Sequence, residues 1–231
     1  VFLMKIIMEK RGCNMLPKIG ITLGEPAGIG SEITAKLITY ENLENLCIPI
    51  IIGDAKVVQQ GLDLIGSKVK FEVVKNLNVA LKPGNFYVYD LDNISLSDFS
   101  FGQISAKAGK ASGEYIEAAI NLALEKKIDA IATNAIHKES FVLGGYGKRF
   151  AGHTEMLAGL TGTKSYCMML ACGNLRVCHV TTHISLLDAL TKYITIDRIV
   201  EVAQHADNVC KQIGIKSPLI GIAGINPHAG E

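Results

Sequence analysis

Apolar runs alternate along the chain with stretches in which apolar residues recur at helical spacing. A short apolar run predicts a buried strand, whereas an apolar repeat with a period of about 3.6 residues predicts a helix. The predicted strands are residues 18–23, 48–52, 69–74, 85–90, 128–133 and 219–225. The predicted helices are residues 30–40, 55–65, 112–126 (capped by Ser112) and 196–214, and residues 165–170 and 175–181 predict a hairpin.

Strands that alternate with helices predict an α/β protein whose largely parallel sheet is covered on both faces. The hairpin would make that sheet mixed. The glycine-rich loop at residues 144–147 is the predicted boundary between two α/β lobes, residues 18–150 and residues 151–231. Residues 1–17 are interpreted as an extension or a loosely held arm, because charged residues interrupt their apolar positions.

Composition narrows the class of protein. Hydrophobic residues make up 48% of the chain and charged residues 19%, which is typical of a globular protein with well-covered sheets. The net charge is +1 and no cluster of Lys and Arg stands out, so nucleic acids and anionic membranes are not expected partners. No apolar run is long enough for a membrane span or a secretion signal. The six cysteines lack CxxC spacing, which favours buried thiols in a reduced, cytoplasmic protein.

The segment Gly-Glu-Pro-Ala-Gly-Ile-Gly at residues 24–30 joins the first predicted strand to the first predicted helix. Glycines let the main chain take positive φ and bring amide N–H groups close to a ligand. The start of a helix favours an anion by roughly 0.3–1 kcal/mol. The spacing differs from GxGxxG, so the dinucleotide fingerprint is not met. An anion site and an ordinary strand–helix turn stay open as equal alternatives.

Two further segments carry side chains suited to an anion. Residues 133–138, Thr-Asn-Ala-Ile-His-Lys, follow a predicted strand at its carboxyl end, where α/β sheets place ligands. Lys138 can serve there as a point charge or a proton donor. Residues 152–155, Gly-His-Thr-Glu, begin an apolar helix, where His153 and Thr154 could hold an anion or a hydroxyl group. The alternatives are a solvated turn for the first segment and a Thr154 helix cap for the second.

Two histidines follow apolar runs late in the sequence. His183 lies in Thr-Thr-His and His228 in Asn-Pro-His. A single histidine is usually structural, but two at predicted strand ends, beside His153, favour a site. His179 and His205 fall inside a strand pattern and a helix pattern and are interpreted as structural.

Together these motifs carry a resemblance to a known family. In chain order they are GEPAGIG (24–30), NAIHK (134–138), GHTE (152–155), MML (168–170), TTHI (181–184) and NPHAGE (226–231). The set resembles the 4-hydroxythreonine-4-phosphate dehydrogenase family of pyridoxal 5′-phosphate (vitamin B6) biosynthesis, which includes D-threonate and D-erythronate 4-phosphate dehydrogenases. The resemblance implies a fold similar to isocitrate and isopropylmalate dehydrogenases, with two α/β/α lobes, and a homodimer.

The resemblance also implies a chemistry and a set of site residues. The family uses NAD or NADP to oxidise a substrate hydroxyl to a ketone, and the resulting β-keto acid loses CO2. A divalent metal (zinc, magnesium or cobalt) activates the hydroxyl and stabilises the enolate. By motif, His153 and Thr154 are expected to bind substrate, and His183 and His228 to bind the metal. Lys138 is expected to contact phosphate or transfer a proton, and no residue is assigned to the cofactor.

Two departures from the family pattern bear on activity. The family has an Arg in a Leu-Arg-Asp run after TTHI, where this chain has Leu187. The family also continues beyond NPHAGE with a third metal histidine, so the sequence is interpreted as truncated at its carboxyl end. Three functions stay open: oxidative decarboxylation of 4-phosphohydroxy-L-threonine, oxidation of D-threonate or D-erythronate 4-phosphate, and a non-catalytic subunit. A metal-dependent hydrolase is a weaker alternative, with Glu155 and Glu231 as its candidate carboxylates.

Overall fold

The computed structural model of the chain describes residues 16–228. Most of the predicted arm therefore lies outside the described residues, as do Ala229, Gly230 and Glu231 of the last motif. At the start of the described range, Leu16 is half-buried and packs against the hydrophobic core.

Five parallel strands form one sheet in the order β3-β4-β2-β1-β5. They are β1 Lys18–Thr22, β2 Ile48–Gly53, β3 Glu72–Val74, β4 Tyr87–Asp90 and β5 Ala130–Ala132. Strand β1 lies between β2 and β5, so that Ile21 is opposite both Ile51 and Ala132. Every residue of β2 is buried, as expected for a parallel strand covered on both faces. The predicted α/β class with a parallel sheet is confirmed.

Seven α-helices accompany the strands within residues 16–228. They are α1 Gly30–Tyr40, α2 Ala55–Leu64, α3 Ala106–Leu124, α4 Lys138–Leu143, α5 His153–Thr161, α6 Leu186–Asp188 and α7 Ile196–Gln212. A 3₁₀ turn, Leu96–Asp98, precedes α3, and a π-helical turn, Ala189–Tyr193, follows α6. The predictions for α1, α2 and α7 are confirmed to within two residues at each end.

The predicted cap of α3 is wrong. Ser105 caps the helix, and its Oγ accepts a hydrogen bond from the main-chain N–H of Ala108 at 3.2 Å. Ser112 lies inside the helix, fully buried, and donates to the carbonyl of Gly109 at 2.8 Å. The apolar pattern begins only at Ile116, so the small residues before it gave no helical signal.

Helix α3 packs on β1, β2 and β5 and also on α4 and α5. Its contact with α4 is close, because a Cβ added at Gly109 would overlap the carbonyl of Ser140. A Cβ at Gly113 would likewise overlap the ring of Tyr146, which stacks on Phe141 at a centroid distance of 5.0 Å. The cluster that joins α3, α4 and α5 consists of Ile116, Ile120, Phe141, Tyr146, Phe150 and Met156.

The chain divides into two compact units between Gly162 and Thr163. The parallel sheet and helices α1 to α5 belong to the first unit. The sequence placed a lobe boundary near residue 150, but Met156 of α5 is fully buried in the cluster with α3 and α4. The division of the whole protein into two α/β lobes stays a prediction.

The second unit contains a two-stranded antiparallel sheet, β6 Met169–Cys172 and β7 Leu175–Cys178, together with α6 and α7. The predicted hairpin is thus present, but among the described residues it forms a sheet of its own and does not make the parallel sheet mixed. The predicted strand at residues 219–225 is wrong: these residues are irregular and exposed, and Leu219 is 101% exposed.

Candidate functional site

The carboxyl ends of β1 and β5 lie side by side in the first unit. From β1 the chain proceeds to β2 on one side of it, and it later returns to place β5 on the other side. Such a reversal leaves a crevice beyond the strand ends, where α/β proteins bind ligands. Two of the motifs singled out in the sequence, residues 24–30 and 133–138, follow these two strands directly.

Hydrogen bonds made by Asn134 connect the two motifs. Its main-chain N–H donates to Oγ1 of Thr22 at 3.2 Å, at the end of β1. Its side-chain Nδ2 donates to the carbonyl of Gly30 at 3.0 Å and to Oγ1 of Thr34 at 3.1 Å, in the first turns of α1. The side-chain amide of Asn134 therefore orients the start of α1. This structural role accounts for an asparagine between the two loops.

Gly24 has φ of +77°, a main-chain conformation that L side chains rarely adopt. A Cβ at this position would also overlap the carbonyl of Ala135. The next residue, Glu25, donates its main-chain N–H to that same carbonyl at 2.9 Å. Residue 24 is therefore glycine for two reasons, the turn itself and the close approach of the opposite loop.

Glu25 is a buried acid that the sequence did not single out. It is 4% exposed, and neither carboxyl oxygen has a hydrogen bond of ordinary geometry to any described residue. Burial raises the pKa of Glu25 above its ordinary value of 4.5, while the nearby Ser140 hydroxyl and the charge of His137 offset only part of the rise. The only signal in the sequence was an acidic residue inside a glycine-rich turn.

His137 and Lys138 lie at the start of α4. His137 is its N-cap, with Nδ1 accepting from the main-chain N–H of Ser140 at 3.2 Å. Lys138 is the first helical residue and is exposed, and no ion pair to its ammonium group forms within residues 16–228. The solvated turn considered for this segment is thus a helix start, with a lysine available to an anion.

His153 and Thr154 begin α5, whose N-cap is Gly152. The His153 ring is half-buried, and burial lowers its pKa below the ordinary 6.5, although a hydrogen bond with the main chain of Asn134 opposes this. Its Nε2 is buried without a partner among the described residues. Thr154 is the second helical residue and half-buried, so the alternative that it caps the helix is wrong. The third motif adjoins the second, because Ile136 packs against the hydrophobic cluster that contains Met156 of α5.

His183 and His228 lie in the second unit, and both are exposed. His183 has φ of +55°, which is uncommon for a residue other than glycine. The main-chain N–H of His228 donates to Oδ1 of Asn226 at 2.8 Å and closes a short turn. The two histidines therefore sit on turns, although residues 219–225, just before His228, form no strand.

His205, in the second unit, has a structural task. Nε2 of His205 on α7 lies 2.6 Å from Oγ of Ser165, close to Arg198, which donates to the carbonyls of Tyr166 and Val180. These bonds hold α7 to the segments beside the hairpin. Leu187, which stands where the family has an arginine, is 71% exposed and lies at the start of α6.

The sequence matches the family of the pyridoxal phosphate biosynthetic protein PdxA over residues 45–231. The chain belongs to the PdxA family. The resemblance inferred from the motifs is thereby confirmed.

Known PdxA-family proteins match over most of the chain. A D-threonate 4-phosphate dehydrogenase of Cupriavidus necator is 41% identical over 94% of this chain and 65% of its own length. A 4-hydroxythreonine-4-phosphate dehydrogenase structure from Burkholderia phymatum is 40% identical with a TM-score of 0.78, covering 94% of this chain and 65% of that one. One from Klebsiella pneumoniae is 34% identical with a TM-score of 0.80, covering 94% and 66%. The chain thus spans about two thirds of the length of these relatives.

The divalent metal that the PdxA resemblance implies needs a set of protein ligands. Within residues 16–228 no group of three or more His, Cys, Asp or Glu side chains is arranged to hold an ion. Protein metal sites of the catalytic type use three protein ligands, so His183 and His228 by themselves do not fit the expected site. The same range offers no GxGxxG turn for a dinucleotide, and in it no helix is long and apolar enough to cross a membrane.

Proposed function

We propose that this chain acts as an NAD(P)-dependent dehydrogenase of a phosphorylated four-carbon hydroxy acid. The observation that carries the proposal is the joining of three family motifs, at residues 24–30, 134–138 and 152–155, beyond the ends of β1 and β5. Membership of the PdxA family, whose similar proteins are named as dehydrogenases of such substrates, supports the reaction class.

The proposed reaction breaks the C–H bond at the substrate alcohol carbon. A bound nicotinamide would accept the hydride, the hydroxyl proton would pass to a base, and a ketone would form. If the product is a β-keto acid, its carboxylate then leaves as CO2, and the remaining electron pair takes up a proton. These steps need groups that bind the anionic substrate and groups that move protons.

Three side chains of the first unit suit these needs. The ammonium of Lys138 is an exposed point charge that can contact the phosphate group. The ring of His153, whose pKa is lowered by burial, offers an Nε2 without a described partner to a substrate hydroxyl or carboxylate, and Thr154 beside it offers a hydroxyl. His183 and His228 are proposed as two of the ligands of the implied divalent metal, and the homodimer likewise stays a proposal.

Two substrates are proposed as alternatives. D-threonate 4-phosphate is favoured by the names of similar proteins at 36–41% identity. 4-Phosphohydroxy-L-threonine, the substrate in vitamin B6 biosynthesis, is favoured by the names of similar solved structures at 34–40% identity.

A substrate comparison tests the proposal. The purified protein is given each 4-phosphate with NAD or NADP, in the presence of zinc, magnesium or cobalt, and reduction of the nicotinamide is followed by absorbance. A preference for D-threonate 4-phosphate excludes the vitamin assignment, and a preference for 4-phosphohydroxy-L-threonine supports it. Absence of reduction with both substrates under every condition would overturn the dehydrogenase proposal and favour a non-catalytic subunit.

Lys138→Ala tests the phosphate contact, and Lys68→Ala serves as its matched control because Lys68 is an exposed lysine outside the site. Loss of a charge-assisted hydrogen bond is worth about 1.5–3 kcal/mol, so KM should rise about tenfold or more in Lys138→Ala. The control should leave KM unchanged. Equal KM values in the two variants would remove Lys138 from the proposed site.

A further inference from the structure

Arg198 lies in the first turn of α7 and bridges the two chains of the hairpin beyond its strands. Its Nη2 donates to the carbonyl of Tyr166 at 2.8 Å, and its Nε donates to the carbonyl of Val180 at 3.1 Å. Tyr166 precedes β6 and Val180 follows β7, so one guanidinium group connects both chains at the open end of the hairpin. A planar group with five fixed donors can bond in several directions at once, which an ammonium group on a flexible stem cannot do.

Two contacts fix the guanidinium group on its own helix. The main-chain N–H of Arg198 donates to Oγ1 of Thr195, the N-cap of α7, at 3.2 Å. Its Nη1 donates to Oε2 of Glu201, about one turn further along the helix, at 2.5 Å. Hydrogen bonds between charged groups are the stronger ones. The side chain is 27% exposed, so its direction is set by these partners more than by solvent.

The motif at residues 181–183 has few attachments of its own. Among the described residues, none of its main-chain groups has a hydrogen-bond partner. The nearest polar attachments are the carbonyl of Val180, which Arg198 holds, and Ser185, the N-cap of α6. His183 lies between them with φ of +55°, a conformation that persists in a residue other than glycine only where the surrounding structure imposes it. The attachment of Val180 therefore decides how the chain enters the motif.

We propose that Arg198 is a positioning residue for the motif at residues 181–183. By fixing the carbonyl of Val180 relative to Tyr166 and α7, its guanidinium group sets the direction in which the chain leaves the hairpin. That direction in turn sets the place and the main-chain conformation of His183. Arg198 acts in this scheme only through the main chain. For its effect on catalysis the inference rests on the proposed function, but for the conformation of His183 it does not.

Arg198→Lys is the discriminating variant. It keeps a positive charge that can pair with Glu201, but its ammonium group cannot also bond both carbonyls in the geometry of the guanidinium group. Arg176→Lys is the matched control, because Arg176 lies on β7 in the same unit and donates to the carbonyl of Asn174 in the hairpin turn, at 3.1 Å. Thermal unfolding checks that both variants fold.

The decisive measurement is the conformation of His183 by NMR, from the coupling between its N–H and Hα and from its Cα shift. The signals are identified by their absence from spectra of His183→Asn. The left-handed conformation should predominate in the wild type and in Arg176→Lys. In Arg198→Lys it should fall towards the few per cent that is typical of residues other than glycine. An unchanged left-handed population in Arg198→Lys would overturn the inference.

Glu201→Gln gives the answer if Arg198→Lys does not fold. The variant keeps the size of the side chain and an acceptor oxygen, but it removes the charge that orients the guanidinium group. The signals of His183 should therefore move in the direction expected for Arg198→Lys, by a smaller amount. Signals that coincide with those of the wild type would count against the inference.

Activity gives a second measurement. Misplacement of a group by about 1 Å can cost about a hundredfold in rate, so Arg198→Lys should lower kcat by about tenfold or more, with a smaller change in KM. Arg176→Lys should leave both unchanged. A wild-type kcat in Arg198→Lys would overturn the role in catalysis. An inactive wild type in which the His183 signals still respond to Arg198→Lys would sink the proposed function and leave the positioning role standing.

Discussion

The main-chain N–H of Glu25 donates to the carbonyl oxygen of Ala135 across 2.9 Å. This bond joins the loop after β1 to the loop after β5, and so connects the motif GEPAGIG to the motif NAIHK. The relative positions of Glu25 and His137 thus depend on a main-chain contact as well as on side chains. Changes at this junction should alter the candidate site before they alter the sheet.

Gly24→Ala should destabilise the first unit. The new Cβ would overlap the carbonyl of Ala135, and φ of +77° adds strain of about 1–2 kcal/mol for an L residue. We expect a total loss of about 2–4 kcal/mol in the free energy of unfolding, measured by urea denaturation. Gly66→Ala is the matched control, because Gly66 has φ of +67° but no atom within 4 Å of the added Cβ. Equal losses in the two variants would mean that the contact with Ala135 contributes nothing.

Ser105→Ala should cost about 1 kcal/mol of stability, since it removes the N-cap of α3. Ser105→Asn should restore most of that loss, because Asn caps equally well. Urea denaturation of the three proteins compares them directly. If Ser105→Asn is no more stable than Ser105→Ala, the hydroxyl of Ser105 acts through its other contacts and not as a cap.

Glu25→Gln should change how stability depends on pH. Burial raises the folded-state pKa of Glu25 above 4.5, so the folded protein binds a proton more tightly than the unfolded chain does. Stability contributed by the protonated carboxyl is therefore present below the unfolded pKa and is lost as the pH rises through the folded one. The variant lacks this loss and should gain on the wild type as the pH increases. Thermal unfolding over a pH series measures the difference, and parallel curves would contradict it.

The elements around the site could be predicted from the sequence because their signals are local. The isoleucine-rich run of β2 and the apolar spacing of α2 lie within a few residues of one another. Both ends of α1, at residues 30 and 40, were likewise predicted to the residue. Such elements need no knowledge of distant partners.

Other features depend on partners far along the chain, and the sequence missed them. Residues 219–225 carry an apolar strand pattern, yet a strand forms only where another strand offers hydrogen bonds, and among residues 16–228 none pairs with this segment. Glu25 and Ser140 are separated by most of the first unit in sequence, so the buried carboxyl beside a buried hydroxyl had no local signature. The motif histidines could be named, but the side chains beside them could not.

His153→Gln should weaken the dependence of stability on pH in a different pH range. Burial lowers the folded-state pKa of His153 below 6.5, so the unfolded chain binds the proton more tightly. The stability of the wild type should therefore fall as the pH drops from about the unfolded value through the folded one. The variant should lose less over that interval, as measured by thermal unfolding. A wild type and variant that respond equally to acid would place the His153 ring in solvent.

His183→Ala and His183→Gly test whether this histidine is a metal ligand independently of its strained main chain. Both variants lack the imidazole, so both should lose affinity for zinc equally, as measured by calorimetry. Only glycine relieves the left-handed conformation at φ of +55°, so it should be about 1 kcal/mol more stable than alanine at this position. Retention of wild-type zinc affinity in both variants would exclude His183 as a ligand.

Gly109 and Gly113 of α3 limit which substitutions this protein can accept. Any side chain at either position would overlap Ser140 or Tyr146. Both positions must therefore stay glycine for α4 to keep its position against α3. A saturation-mutagenesis survey should therefore find intolerant positions on α3 that touch no ligand. Evolution of this protein towards a new substrate could change the loops, but it would have to retain both glycines.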